Sequence, residues 1–160
     1  MRGRQPSVSR IRVRAAKLAD VPAMLALEAL FPSDRMSVRS IRRFVTAASA
    51  RVFVATGDEA LLGNLVLLLR ARSTKARIYS VVVDPQARGL GIGNRLVEAA
   101  ERAAKCERRS AVTLEVRADN AVARALYAKR GYIEEQRLPR FYNDGADGLK
   151  LIRNFKGRNP

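Results

Sequence analysis

At 160 residues the chain can build one core of ordinary size but not two domains, so every motif must share one fold. Its 31 Lys and Arg against 15 Asp and Glu give a formal charge of +16, which favours anionic partners without naming one, while 48% apolar content is that of a globular protein. No apolar run reaches the roughly 18 residues of a bilayer span, Met1 to Arg10 lacks the apolar centre of a secretory leader, and a lone Cys106 with no histidine rules out an internal disulfide and every imidazole-based triad and argues against metal catalysis.

The expectation is a cytoplasmic protein with a basic tail at 1–10 ahead of one domain at 11–160. Arg2, Arg4, Arg10, Arg12 and Arg14 crowd the start, either as a solvated tail or as an arm for nucleic acid. Ile11 to Ala15 alternates as a strand does, and Asp20 stands where it would cap a helix carrying Val21, Met24, Leu25, Leu27 and Leu30 on its apolar side. Phe31 to Asp34 ends that helix, and Ser37 caps a second one through Ile41, Phe44 and Val45. Arg51 to Thr56 and Leu61 to Leu69, joined by a turn at Gly57 and Asp58, read as a hairpin. Ala76 to Val83 is rich in β-branched residues and reads as a central strand buried on both faces.

After Asp84 and Pro85 a glycine-rich turn opens an amphipathic helix through Leu96, Val97, Ala100 and Ala104. Ala111 to Arg117 is a strand, Asn120 caps a helix from Ala121 to Arg130, Gly131 stops it, and two strands follow near Tyr132 to Leu138 and Leu149 to Asn154. The predicted class is therefore α/β: one domain with a mixed seven-stranded sheet flanked by about four helices, with no internal repeat.

The turn Arg88-Gly-Leu-Gly-Ile-Gly93 lies between a strand and a helix start, where free N–H groups and the helix dipole favour phosphate. It is not a Walker loop, because no Gly-Lys-Ser/Thr follows, and the dinucleotide fingerprint fails because Asn94 stands where its third glycine belongs. The pattern R-x-x-G-x-G behind Val83-Asp-Pro, with Leu114-Glu-Val-Arg-Ala-Asp-Asn120, Ala125-Leu-Tyr127 and Arg130-Gly-Tyr132, resembles the GCN5-related N-acetyltransferase (GNAT) superfamily, and within it the RimI-type ribosomal-protein alanine N-acetyltransferases. The resemblance implies acetyl-coenzyme A as cosubstrate and no metal. It further implies that the backbone of Arg88, Gly89, Leu90, Gly91, Ile92, Gly93 and Asn94 holds the pyrophosphate, that Val81, Val82 and Val83 pair with the pantetheine arm, and that Asn120 touches the coenzyme besides capping its helix.

Without histidine the base must be a carboxylate, lysine, tyrosine, terminus or water. Glu115 sits in an apolar strand, where desolvation suits a base, although alternation equally points it to solvent. The resemblance makes Glu115 the proton acceptor and Tyr127 the proton donor to the leaving thiolate, and it places Phe141 and Tyr142 at the acceptor wall. Cys106 follows the long helix with no activating histidine available and receives no role. The acceptor implied is a primary amine, most simply a protein or peptide N-terminus, with a ribosomal protein as one such acceptor, on a monomer or homodimer. The basic segment Phe31 to Arg43 favours an acidic or ribosome-bound acceptor over a polycation. The competing readings are acetylation of a small amine, and a nucleic-acid or ribosome-binding module acting through non-specific charge.

Overall fold

The computed structural model describes residues 10–31, 36–58 and 60–156; residues 1–9 of the predicted 1–10 tail and 32–35 of the acceptor segment lie outside them. The chain runs β1 (Arg12–Ala15), α1 (Val21–Glu28), α2 (Val38–Thr46), β2 (Ala50–Thr56), β3 (Leu61–Leu68), β4 (Lys75–Val83), α3 (Ile92–Cys106), β5 (Ala111–Arg117), α4 (Ala121–Lys129), β6 (Ile133–Leu138) and β7 (Gly148–Asn154). This is the predicted order. The strands form one sheet in the spatial order β1-β2-β3-β4-β5-β7-β6, antiparallel throughout except for β4 against β5. That parallel pair is joined by α3, since a parallel crossover needs a connection long enough to return along the sheet.

Two apolar clusters sandwich the sheet. On one face Val21 and Met24 of α1 and Ile41 and Phe44 of α2 close over Val52, Val54 and Val66. On the other, Ile92, Leu96, Val97, Ala100 and Ala104 of α3, with Tyr127 of α4, cover Leu65, Leu67, Ile78, Val112 and Leu114. Ser37 caps α2 as predicted, its hydroxyl accepting the Ser40 N–H at 3.1 Å.

Three local expectations are corrected. Asp20 does not cap α1: its carboxylate takes the Lys17 N–H at 2.7 Å and a two-pronged contact from Arg14 at 2.7 and 2.8 Å, so the chain enters α1 through a tight turn at Leu18–Asp20. Leu30 falls outside the buried stripe, being 53% exposed beyond the end of α1. The strand buried on both faces is β3, from Leu62 to Leu67, and not β4, whose Tyr79 is exposed and whose Val81, Val82 and Val83 are only half covered. The cause is pairing: β4 has β5 beside it only from Lys75 to Ile78.

A buried ion node ties α3, α4 and β7 together. Glu101, 2% exposed, accepts from Arg130 Nε at 3.1 Å and from its Nη2, from Arg153 Nη1 at 2.7 Å and from the Tyr132 hydroxyl at 3.0 Å. Burial pushes the Glu101 carboxyl up, and the hydrogen bonds from Arg130, Arg153 and Tyr132 together overcome it, leaving the group below the usual range. Two guanidinium groups rely on this one carboxylate, and removing one partner of a buried pair costs about 3 to 5 kcal/mol. Glu101→Gln should therefore lower the unfolding free energy by about 3 kcal/mol at neutral pH, measured by urea denaturation. Because the folded-state pKa lies below the unfolded value of 4.5, the stabilisation is complete above that pH and is lost as pH falls through the folded pKa. The acid-induced loss of stability should be steeper in the wild type than in Glu101→Gln.

Candidate active site

The site begins where two strands part. The β4–β5 ladder ends at Ile78 and Leu114, although β4 continues against β3 to Val83 and β5 continues against β7 to Arg117. The register between β3 and β4 slips at the same place, with Val66 opposite Ser80 and Leu67 opposite Ile78, so Tyr79 is a bulged residue. Beyond it, the edge of β4 that faces β5 has no strand partner, and a cleft opens in the middle of the sheet. Val81 and Val83 lean onto the α3 side of the core, and Val82 lies opposite Asn64 in the register. Such an edge offers backbone donors and acceptors to an extended ligand.

The glycine turn stands at the mouth of this cleft. Asp84 steadies its approach by accepting the Gln86 N–H at 2.9 Å, and Arg88 then leaves the turn in an extended, exposed conformation. Gly89 and Gly91 have φ of 84° and 75°, in the left-handed region that favours glycine, and a Cβ at either would meet nothing within 4 Å. The turn therefore lines open space. Leu90 packs inward and Ile92, 2% exposed, anchors the first turn of α3 in the core. With Gly91 as N-cap, the first amides of α3, at Ile92, Gly93 and Asn94, precede the intrahelical ladder, which begins with Arg95 N–H to Gly91 at 3.1 Å. The arrangement is the donor set that an anion requires.

α4 closes the other side. A Cβ on Gly93 would lie 3.5 Å from Leu126 and 3.9 Å from Val83, so the start of α3, the end of β4 and α4 meet at this residue. Asn120 caps α4 by accepting the Ala123 N–H at 3.1 Å and remains exposed. Tyr127, 7% exposed, packs edge-on against Tyr132 with ring centroids 5.4 Å apart. Burial, reinforced by Tyr142, pushes its phenol up to about 12, so it carries its proton at neutral pH. Glu115 lies on the face of β5 opposite the α3 cluster, half buried, its Oε2 accepting from Arg77 Nε at 3.1 Å. Glu115 is thus joined to Arg77 and not to Tyr127. Phe141 and Tyr142 form an edge-on pair at 5.1 Å in the β6–β7 loop, and Arg117 lies over the Tyr142 ring.

The model of the acetyltransferase (GNAT) family matches residues 21–132. The chain belongs to this family. An N-alpha-acetyltransferase of Sulfurisphaera tokodaii is 30% identical over 151 residues, covering 88% of this chain and 90% of that protein. Human N-alpha-acetyltransferase 30 is 30% identical over 142 residues, 87% of this chain but 39% of the human protein. An uncharacterised N-acetyltransferase of Methanocaldococcus jannaschii is 38% identical over 87 residues, so the match spans 50% of this chain and about half, 54%, of that relative. Among solved structures, the Escherichia coli ribosomal-protein-S18-alanine N-acetyltransferase superposes with a TM-score of 0.82 at 22% identity, covering 94% of this chain and 98% of its own. The NatC complex bound to Gag peptide and CoA gives 0.80 at 22% identity over 92% and 99%. At these identities the structures establish the fold.

Within this GNAT domain the sequence left several buried or contacting groups unremarked. Glu101 follows Val97 by four residues and so falls on the buried stripe of α3; that spacing was its signal. Arg77 has no signal short of the sheet register that sets it beside Glu115. Glu28, 1% exposed, accepts the Met36 N–H at 3.2 Å beside a cavity of about 410 Å³ lined by Leu25, Ala29, Met36, Ser37 and Val38. Burial pushes its carboxyl up despite that hydrogen bond. Among the described residues no group of three or more His, Cys, Asp and Glu gathers as a metal site would, and no helix is long and apolar enough to cross a membrane.

The buried Tyr127 phenol makes the fold sensitive to alkali. Its folded value of about 12 exceeds the ordinary 10.0, so the unfolded chain ionises first: stability is unaffected below about pH 10 and falls between about pH 10 and 12. Tyr127→Phe should lessen this alkaline loss, read from denaturation midpoints across that range.

Proposed function

We propose that the chain is an acetyl-coenzyme A-dependent N-acetyltransferase whose acceptor is the N-terminal amine of a protein or peptide. The observation that carries the coenzyme assignment is the pairing of a left-handed glycine turn, open at Gly89 and Gly91, with the partnerless edge of β4. One feature suits a pyrophosphate and the other an extended amide-containing arm, and the two adjoin at Gly93 and Val83. The residues present therefore fit the coenzyme. Its thioester supplies the acetyl group. The amides of Gly89 to Asn94 would hold the pyrophosphate, with Arg88 adding positive charge, Val81, Val82 and Val83 would pair with the pantetheine arm, and Asn120 would contribute its amide from the head of α4.

The chemistry left to the protein is orientation and two proton movements. Glu115, directly or through water, takes a proton from the acceptor amine and frees its lone pair for attack. Arg77 holds that carboxylate in place. Tyr127 is buried and kept protonated, a state suited to donating to the departing sulfur once the C–S bond breaks. Positioning supplies much of the remaining rate, because well-oriented partners react at effective molarities of about 10⁵ M or more. The names of the Sulfurisphaera and human relatives support a protein N-terminus as acceptor, as do the S18-alanine and Gag-peptide neighbours.

Calorimetry with acetyl-coenzyme A tests the cradle. The wild type should bind in the micromolar range, and Gly91→Asp, which puts a carboxylate into the turn at φ 75°, should show no measurable binding. Equal binding by the two proteins would remove the turn from the site. For the acid, Tyr127→Phe should reduce kcat with an N-terminal peptide by about 100-fold while leaving the coenzyme Kd within about twofold. An unchanged kcat would end the role given to Tyr127.

A further inference from the structure

The acetyl site as proposed draws on little of the +16 charge beyond Arg88, and the fold gathers part of the rest at one place. Four segments converge at the end of the sheet away from the cleft, where β2, β4 and β5 begin and β3 and β7 finish. Leu69 N–H bonds to the Ser49 carbonyl at 2.7 Å, Ser110 N–H to Thr74 at 2.8 Å and Phe155 N–H to Ser110 at 2.9 Å. Arg109 Nη1 laces the 69–75 loop by donating to the carbonyls of Arg70, at 2.7 Å, and Ser73. Onto this pole the segments bring Arg70, Arg72, Lys105, Arg108, Arg109 and Lys156, none of which forms an ion pair among the described residues. Their one carboxylate, Glu107, is already engaged by Arg51 at 2.7 Å.

We propose that this basic pole is a docking surface for structured RNA, held through its phosphate backbone. Arginine dominates the set, and its planar fork matches phosphate oxygens with two parallel hydrogen bonds. Apart from Lys105 in the last turn of α3, the side chains stand on loops, which cannot enter a DNA major groove as a helix or ribbon does. Reading the backbone and 2′-hydroxyls across a wide, shallow groove is the usual RNA mode and needs no such element. A membrane surface is disfavoured because none of the large exposed apolar residues, Leu18, Leu30, Val38, Tyr79, Val122, Ile133 and Phe141, belongs to these loops. The pole and the glycine turn sit at opposite ends of α3, whose 15 residues span about 22 Å. RNA held at the pole therefore leaves the cleft free, and the proposal stands whether or not the acetyl-transfer reading does.

The test is fluorescence anisotropy of the full chain with a labelled RNA hairpin of about 20 base pairs, titrated at salt concentrations from roughly 50 to 200 mM. The triple variant Arg70→Gln, Arg72→Gln, Arg108→Gln is compared with the equally charged control Arg12→Gln, Arg39→Gln, Arg140→Gln at the cleft end. Wild type should bind with a steep negative slope of log K against log salt. The pole variant should lose about two to three units of that slope, at about 0.7 to 0.9 per phosphate contact, and the control less than one. Thermal melting and turnover on a free peptide should match wild type in the pole variant, which separates lost docking from lost folding or lost catalysis. Equal losses in both variants, DNA duplex binding at least as tightly as RNA, a pole-dependent affinity for anionic phosphatidylserine vesicles exceeding that for RNA, or no RNA binding even at the lowest salt would each overturn the proposal.

Discussion

The site depends on a broken ladder. In a sheet of seven strands, hydrogen bonding between β4 and β5 stops at Ile78 and Leu114, although both strands run on against their outer neighbours. The Tyr79 bulge increases local twist and turns the second half of β4 away, so a free strand edge appears in the interior of the sheet instead of at its rim. An edge at the rim invites aggregation. One enclosed by helices on either side admits only a ligand narrow enough to enter between them. Because β4 also feeds the glycine turn, the same break aims the start of α3 at the cleft, and the phosphate cradle and the arm-binding edge are two consequences of one local departure from regular pairing.

The node at Glu101 keeps this opening from spreading. α4 adds only Tyr127 to the buried residues of its own span, yet it must hold that ring and the Asn120 cap against α3. Arg130, at its C-terminal end, reaches Glu101 on α3 and also donates to the Asn94 side chain at 2.9 Å, while Tyr132 joins the same carboxylate and braces the Tyr127 ring. Charge-assisted bonds in a buried setting are directional, so they position these elements more sharply than apolar contact alone would. The proposed acid and the proposed anion cradle thus share one support.

The distribution of charge divides the molecule by function. Near the cleft several cations are paired, Arg77 with Glu115, Arg117 with Asp119 and Asp144, and Arg137 with Asp147, while Arg88 stays exposed at the turn. At the far pole Arg70, Arg72, Arg108 and Lys156 are exposed and form no ion pair among the described residues. Paired charges fix a geometry in which protons move at defined atoms, whereas unpaired ones create a field that acts on distant anions. The same residue types therefore serve local chemistry at one end and long-range attraction at the other.

The sequence alone determined what is local or periodic: all eleven elements in order, the Ser37 and Asn120 caps, the glycine-rich turn between β4 and α3, and Tyr127 on a helix carried there by the family pattern around Ala125-Leu-Tyr127. These follow from the spacing of apolar residues and from side chains that bond to a backbone two or three residues away, which one stretch of chain contains in full. Only the tertiary structure decided what depends on residues far apart in sequence. Asp20 is a local exception: Arg14 and Lys17, six and three residues away, take the carboxylate that would have capped the helix. Valine richness marked β4 for burial on both faces, but its ladder with β5 ends at Ile78, so the second half of β4 has no strand on that edge. Glu101 finds Arg130 and Arg153 and Glu115 finds Arg77 across 29 to 52 positions, and the basic pole gathers residues spread from Arg70 to Lys156, because such distant side chains meet only when the sheet and crossover have formed.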